Sequence, residues 1–297
     1  MATFNDMVDE VSLHLSSYGM KHDAVTHITA NITSSATTAT LYSTDSVGRG
    51  LIEIDDELIW IDAVDRGTGT ITIPPYGRGY RGSTAASHTS GTMVTLNPTY
   101  SRKAIKTAIN DTIRAVFPML YGTSKYTFTY SPAVTTYALP SSVESIIAIS
   151  FESIGSSKEW VPVRGWRQDS TSNVTAFNST NSVTITSFVD PGATVQVAYT
   201  MEPEPLESNS DEFADTTGLP ESTKDVIILG AAYRLLSTVD PSRLSFSNAE
   251  AETQSSQIQF GSGTNTAKYI YALYQQRLQE EASKLVGKFP VRVHYTN

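Results

Sequence analysis

Gly50-Leu-Ile-Glu-Ile-Asp-Asp-Glu-Leu-Ile-Trp-Ile-Asp62 decides the fold. Two runs of branched and aromatic residues flank Asp55-Asp56-Glu57, the pattern of paired strands around a hairpin turn bounded by Ile54 and Leu58. More β texture punctuated by glycine follows in Gly69-Thr-Ile-Thr-Ile73 and Thr92-Met-Val-Thr-Leu96, so residues 21–98 read as a small β module. Helical spacing brackets it on both sides. Before it, Phe4, Met7, Val8, Val11, Leu15 and Tyr18 recur on one face, with Thr3 and Asp6 as a capping box and Gly19 as a stop, which predicts a helix within residues 1–20. After it, Ile105, Ala108, Ile109, Thr112, Ile113, Val116 and Phe117 predict a helix within residues 99–122, ended by Pro118 and Gly122.

Short strand runs then resume over residues 123–203: Tyr126-Thr-Phe-Thr-Tyr130, Ser145-Ile-Ile-Ala-Ile-Ser-Phe151, Ser182-Val-Thr-Ile-Thr186 and Thr194-Val-Gln-Val-Ala-Tyr199. Their number and spacing predict a β-sandwich. The segment from Glu202 to Asp215, which leads into and through an acidic linker at residues 204–217, holds Glu202, Glu204, Glu207, Asp211, Glu212 and Asp215 without a base, and Pro203 and Pro205 break any regular helix there. Residues 218–286 return to helix. Ser222 and Asp225 cap a segment whose face is Val226, Ile227, Leu229, Ala232, Tyr233 and Leu236, and Tyr269, Ile270, Leu273, Leu278 and Leu285 mark a long final helix. Residues 287–297 form a basic, extended arm in which Val291, Val293 and Tyr295 alternate with polar residues like a strand without a partner. Helices too short or one-sided to stand alone bury their stripes against one another. The expected class is α+β: a helical core of about four helices with two inserted β modules, the second sandwich-like, and a C-terminal docking arm.

Composition narrows the function. With 30 acidic against 21 basic residues the net charge is -9, which argues against wrapping nucleic acid, since that needs a basic surface to release counterions. Cysteine is absent, which excludes disulfides, thiolate metal sites and cysteine nucleophiles. The opening residues lack a signal-peptide pattern and no apolar run reaches bilayer length, so neither self-export nor membrane insertion is expected. Gly77-Arg-Gly-Tyr-Arg-Gly82 matches a dinucleotide fingerprint literally, but Pro74-Pro75 interrupts the preceding strand and no helix pattern follows, so it reads as a glycine-shaped turn. His14, His22, His27, His88 and His294 are scattered, with no two placed as metal ligands one helix turn apart. Trp60, Trp160 and Trp166 read as core or interface residues. No catalytic, cofactor or metal site is expected; Asp55, Asp56 and Glu57 are the densest acidic cluster, and no pocket marks a partner for them.

Three segments resemble the head-to-tail connector or adaptor proteins of tailed bacteriophages: Phe4-Asn-Asp-Met-Val-Asp-Glu-Val11, then Asp225-Val-Ile-Ile-Leu-Gly-Ala-Ala-Tyr-Arg-Leu-Leu236 with Tyr274-Gln-Gln-Arg-Leu-Gln-Glu-Glu281, and the tail Phe289-Pro-Val-Arg-Val293. Arg78-Gly-Tyr-Arg-Gly-Ser-Thr-Ala-Ala-Ser-His-Thr-Ser-Gly91 is similar to a β-module turn common in phage virion proteins. The resemblance implies a non-enzymatic virion protein, made in the host cytoplasm and sited in the neck. There it forms a homo-oligomeric ring, a dodecamer by resemblance, that joins the portal protein to the next neck or tail protein. DNA passes during ejection without sequence-specific contact, and no cofactor is implied. Lys288, Phe289, Val291, Arg292, Val293 and Tyr295 are the candidate portal-docking residues; Glu202, Glu204, Glu207, Asp211, Glu212 and Asp215 are candidate lumen or rim acids. Two other classes remain: a minor tail or fibre protein whose β modules bind a receptor or glycan, which predicts trimers and a dispensable arm, and a glycan hydrolase, which requires a cleft with convergent carboxylates.

Overall fold

The computed structural model describes residues 2–17, 23–155, 158–170, 180–238 and 262–288. Among them are five α-helices: α1 (Phe4–Ser16), α2 (Arg102–Ala115), α3 (Phe213–Thr217), α4 (Lys224–Thr238) and α5 (Ser262–Lys288). The four sheets are all antiparallel, so the class is α+β as expected from the pattern of runs. The chain divides into two units, one holding residues 5–111 and 228–271, the other residues 1–4, 112–227 and 272–297.

In the first unit, Gly50 to Ile61 fold back as β3 (Gly50–Ile54) and β4 (Glu57–Ile61), joined by a two-residue turn in which Asp55 takes φ 52°. These strands continue into a four-stranded sheet of order β1-β7-β3-β4, with β1 (Ala24–His27) and β7 (Met93–Leu96). A second sheet, β2-β6-β5, comprises β2 (Thr38–Thr40), β5 (Ala63–Asp65) and β6 (Thr70–Thr72). Ile52, Ile54, Ile59, Ile61 and Val94 from one sheet share a buried cluster with Ala39 and Ile71 from the other. Because β1 pairs with β7, the module is entered and left on neighbouring strands, and Thr99 Oγ1 donates to Asp23 Oδ1 at 2.9 Å across that doorway.

The second unit repeats the arrangement. β8 (Gly122–Thr129) and β14 (Thr194–Met201) pair from Gly122↔Met201 to Thr129↔Thr194, so this module too starts and ends side by side. β10 (Ser145–Glu152) and β11 (Trp160–Pro162) complete the sheet β11-β10-β14-β8, and β9 (Thr136–Ala138), β12 (Trp166–Asp169) and β13 (Ser182–Ile185) form the sheet β12-β13-β9. Val195, Val197 and Tyr199, alternate residues of β14, share one core with Ile149 of β10 and Val183 and Ile185 of β13, which makes the module sandwich-like.

Helices α1 and α2 bury the expected stripes, whereas α4 and α5 differ: on α5, Tyr269 is exposed and Leu273 half-buried, and Ala267 and Tyr274 are buried instead. Phe4, Met7, Val8, Val11 and Leu15 are buried on α1, and Ile105, Ala108, Ile109 and Ile113 on α2. On α4 the buried positions are Val226, Ile227, Ile228, Ala231, Ala232 and Leu235, whereas Leu229, Tyr233 and Leu236 are only half-buried. Lys-Asp-Val-Ile-Ile-Leu-Gly-Ala-Ala is apolar nearly all round, and such a helix has no strong preference for one face until its neighbours choose it. Helix α5 is longer than its apolar pattern predicts: it takes Gly287 and Lys288 into its last turn, where a cation faces the negative end of the helix dipole. No described helix is long and apolar enough to cross a membrane.

Candidate functional site

Glu57 organises the loop that carries the phage-like turn. Its side chain is 1% exposed and starts β4, which aims it beneath Pro74 to His88. Arg78 grips it with two parallel bonds, Nε to Oε1 at 2.7 Å and Nη2 to Oε2 at 2.8 Å, the fork geometry that makes arginine–carboxylate pairs strong. The Gly79 and Ala86 amides each donate at 3.0 Å, and His88 Nε2 stands 2.9 Å from Oε2. His88 Nδ1 is 2.8 Å from Asp55 Oδ2, so the ring is held between two carboxylates. Arg78 spends its remaining donors on the carbonyls of Thr33, Ala36 and Ala86. Burial raises the Glu57 pKa, but the bonds from Arg78, Ala86, His88 and Gly79 outweigh it and hold the group at about 2.

The glycines of Gly77-Arg-Gly-Tyr-Arg-Gly82 serve this turn. A Cβ on Gly77 would lie 2.7 Å from the Trp60 carbonyl oxygen, while the Trp60 amide donates to Gly77 at 2.8 Å. Gly79 takes φ 58°, and a Cβ there would lie 2.8 Å from the Ser83 carbonyl oxygen. The pattern is thus a pinned loop that closes in a three-residue 3-10 turn, Tyr80–Gly82, and does not open an α-helix whose N-terminus would receive a phosphate. Glu57 has both oxygens filled by donors, which leaves none for acid–base work. Trp60 packs against Tyr80 with ring centroids 5.5 Å apart, Trp166 packs on the second module's core, and Trp160 is exposed on the edge strand β11.

The acidic linker is anchored by apolar residues between its carboxylates. Pro203, Leu206 and Phe213 are buried, while Glu202, Glu204, Glu207, Glu212 and Asp215 are exposed. Asp211 differs: it is half-buried and its Oδ2 accepts the amides of Glu207 and Ser208 at 2.8 Å each, so it shapes a turn. The chain start is stitched to the same segment, with the Phe4 amide donating to Asp211 and the Phe213 amide to Ala2, both at 2.9 Å. The prolines leave room for α3 at the linker's end, a five-residue helix that stops at Gly218 with φ 69°.

Of the docking-arm residues, Lys288 closes α5; Phe289, Val291, Arg292, Val293 and Tyr295 lie outside the described residues. Arg277 of α5 reaches Asp225 of α4 at 2.7 Å, and Glu281, 2% exposed, accepts from Ser222, Arg277 and Lys284. Three cations that no sequence signal singles out as a group, Arg81, Lys103 and Arg234, line one open groove of about 840 Å³ within the first unit. They come from a turn, α2 and α4, so only folding brings them together.

A family model described as SU10 adaptor protein matches residues 92–288, about two thirds of the chain. The matched segment starts at β7 and ends with α5, so it takes in α2, the sandwich, the linker and α4, and leaves most of the first β module outside. No curated protein matches the chain.

Proposed function

The chain belongs to the SU10 adaptor protein family, a phage structural protein of the virion, and on that premise we propose that it forms a ring in the neck that joins the portal to the tail. The carrying observation is the match over residues 92–288, which spans α2 to α5 and the sandwich as one block. A family of this kind works by burying surfaces against other virion proteins, and its members are typically not enzymes.

The finer assignments follow from chemistry. Helix α5 is roughly 40 Å long for its 27 residues, a strut that ends in Lys288 and hands on to the basic arm. In the arm, Phe289, Val291, Val293 and Tyr295 supply apolar anchors and strand spacing for backbone pairing, and Arg292 supplies a charge for portal carboxylates. The exposed linker acids Glu202, Glu212 and Asp215 sit on lumen or rim, where they repel passing DNA phosphates. Removal of residues 288–297 tests the reading: the truncated protein is expected to keep its helix content and melting temperature yet fail to attach to portal-bearing heads. Normal attachment by a folded truncated protein, or imaging that places the chain at the tail tip in three copies, would count against it.

A further inference from the structure

We propose that the cationic groove of the first unit receives the acidic linker of a second copy of this chain, and that this contact is one of the joints of the assembly; it rests on the ring reading above.

The groove reverses the charge of the molecule around it. The chain carries -9 overall, yet Arg81, Lys103 and Arg234 line the groove against the single carboxylate of Asp111. Among the described residues, the Lys103 ammonium meets only the neutral carbonyl of Gly82, and Arg81 lies 5.7 Å from the Tyr80 ring centroid, a contact that does not use its guanidinium donors. Arg81 takes φ 52°, a left-handed backbone conformation uncommon for a residue with a side chain. Lys106, one turn along α2, is by contrast spent on Asp56 at 2.7 Å. The floor includes Leu51 and Leu58, so an occupant gains apolar burial as well as charge.

The occupant is identified by complementarity. The linker is the segment of this chain that offers carboxylates without a base, Glu204 and Glu207 among them exposed, on a backbone whose Pro203 and Leu206 are locked in place. A groove in one unit and a linker in the other are different surfaces, so joining copies through them is heterologous, head to tail, and closes as a ring when the rotation permits. DNA phosphates are the rival ligand for three cations. They are disfavoured because the surrounding acid excess repels a polyanion of that length, while a short acidic segment brings its charge to the groove alone.

Absence of cysteine makes the test clean. One chain is made as Lys103→Cys and a second, of different mass through a tag, as Glu207→Cys; they are mixed under assembly conditions and oxidised. The expected product is the mixed disulfide in excess of either symmetric one, and a chain carrying both cysteines is expected to give a ladder of linked copies. Reversing Arg81 and Lys103 to Glu is expected to weaken assembly roughly tenfold or more, with recovery when Glu204→Lys and Glu207→Lys are supplied on the partner chain. Unchanged thermal unfolding of the reversed chain, with Lys103→Gln as the milder variant, separates assembly from folding. If rings of normal mass form while the mixed disulfide stays at the symmetric level, the groove proposal falls and the ring stands. If the mixed disulfide forms but products stop at closed pairs, the contact stands and the ring falls. Duplex binding that disappears with Lys103→Glu while mixed linkage is absent would assign the groove to nucleic acid and overturn the proposal.

Discussion

Glu53 and Glu57 sit on adjacent strands across the Asp55-Asp56 turn, and their environments push them in opposite directions. Glu57 has five hydrogen bonds from four residues at its two oxygens, two of them from the Arg78 fork, so its charged form is favoured and the group titrates at about 2. Burial dominates at Glu53 and lifts it to about 7, although its Oε1 accepts the Arg102 amide at 2.7 Å at the start of α2. The signs follow by linkage. A folded carboxyl depressed from 4.5 to about 2 adds stability above 4.5 that is lost as pH falls towards 2. A folded carboxyl raised from 4.5 to about 7 binds its proton more tightly than the unfolded chain does, so its contribution is greatest below 4.5 and is lost as pH rises through 7. Each swing is on the order of 3 kcal/mol at most. Glu53→Gln keeps an acceptor for the Arg102 amide and has no proton to lose. It is therefore expected to raise the melting temperature at about pH 8 more than at about pH 5. Parallel melting profiles of the two proteins over that range would show that Glu53 is ionised throughout. Neither fate is legible in the sequence, because Gly50 to Ile61 looks the same whether a carboxyl faces donors or hydrocarbon.

At the level of elements, the sequence is most legible where a single period dominates. The strands at Gly50–Ile54, Ser145–Glu152 and Thr194–Met201 and the helices α1 and α2 appear where alternation or helical spacing places them. Three-residue strands such as β2 and β5 leave too short a period to detect, and the choice of face on α4 belongs to its neighbours. Helix α5 shows how a charge can hide a stripe. Its buried positions are Ala267, Ile270, Tyr274, Leu278, Glu281 and Leu285, spaced by three and four like a packing seam, but a carboxylate stands in one place. Arg277, Lys284 and Ser222 satisfy that carboxylate, so the sequence shows a polar helix where the fold has a nearly continuous seam. Leu278→Ala is expected to cost about 2–5 kcal/mol through lost burial and the cavity left behind. Glu281→Leu extends the seam and releases a buried charge whose cationic partners are partly exposed, so it is expected to be neutral or stabilising. Urea unfolding followed by helix signal compares the two. An equal loss for both would mean that the Glu281 bonds join α5 to its surroundings as strongly as the apolar contacts do.

The whole chain is a helical thread that twice leaves into β structure and twice returns beside its point of departure, at Ala24↔Leu96 and at Gly122↔Met201. That closure lets a module be carried without displacing the elements around it, and the family match, which starts at residue 92, passes over most of the first. What remains common is the block from α2 to α5, so contacts with other virion proteins that the family shares are expected to come from it, beside those of the proposed docking arm. Charge acts at this scale as well. If the chain forms the proposed ring around DNA, it must not hold the duplex, and duplex affinity of the non-specific kind grows with the number of phosphates a protein neutralises. Arg81, Lys103 and Arg234 are the one cationic concentration in the groove, set in a molecule with 30 acidic and 21 basic residues and with five exposed carboxylates on the linker. The purified protein is therefore expected to show no appreciable duplex affinity at physiological salt, and any weak binding at low salt is expected to vanish with a shallow dependence, since three cations release few counterions. Titration of a fluorescent duplex across a salt series checks this. Tight binding with a steep negative salt slope would require many more phosphate contacts than the groove provides, and would turn the assignment from a conduit that lets DNA pass to a protein that grips it.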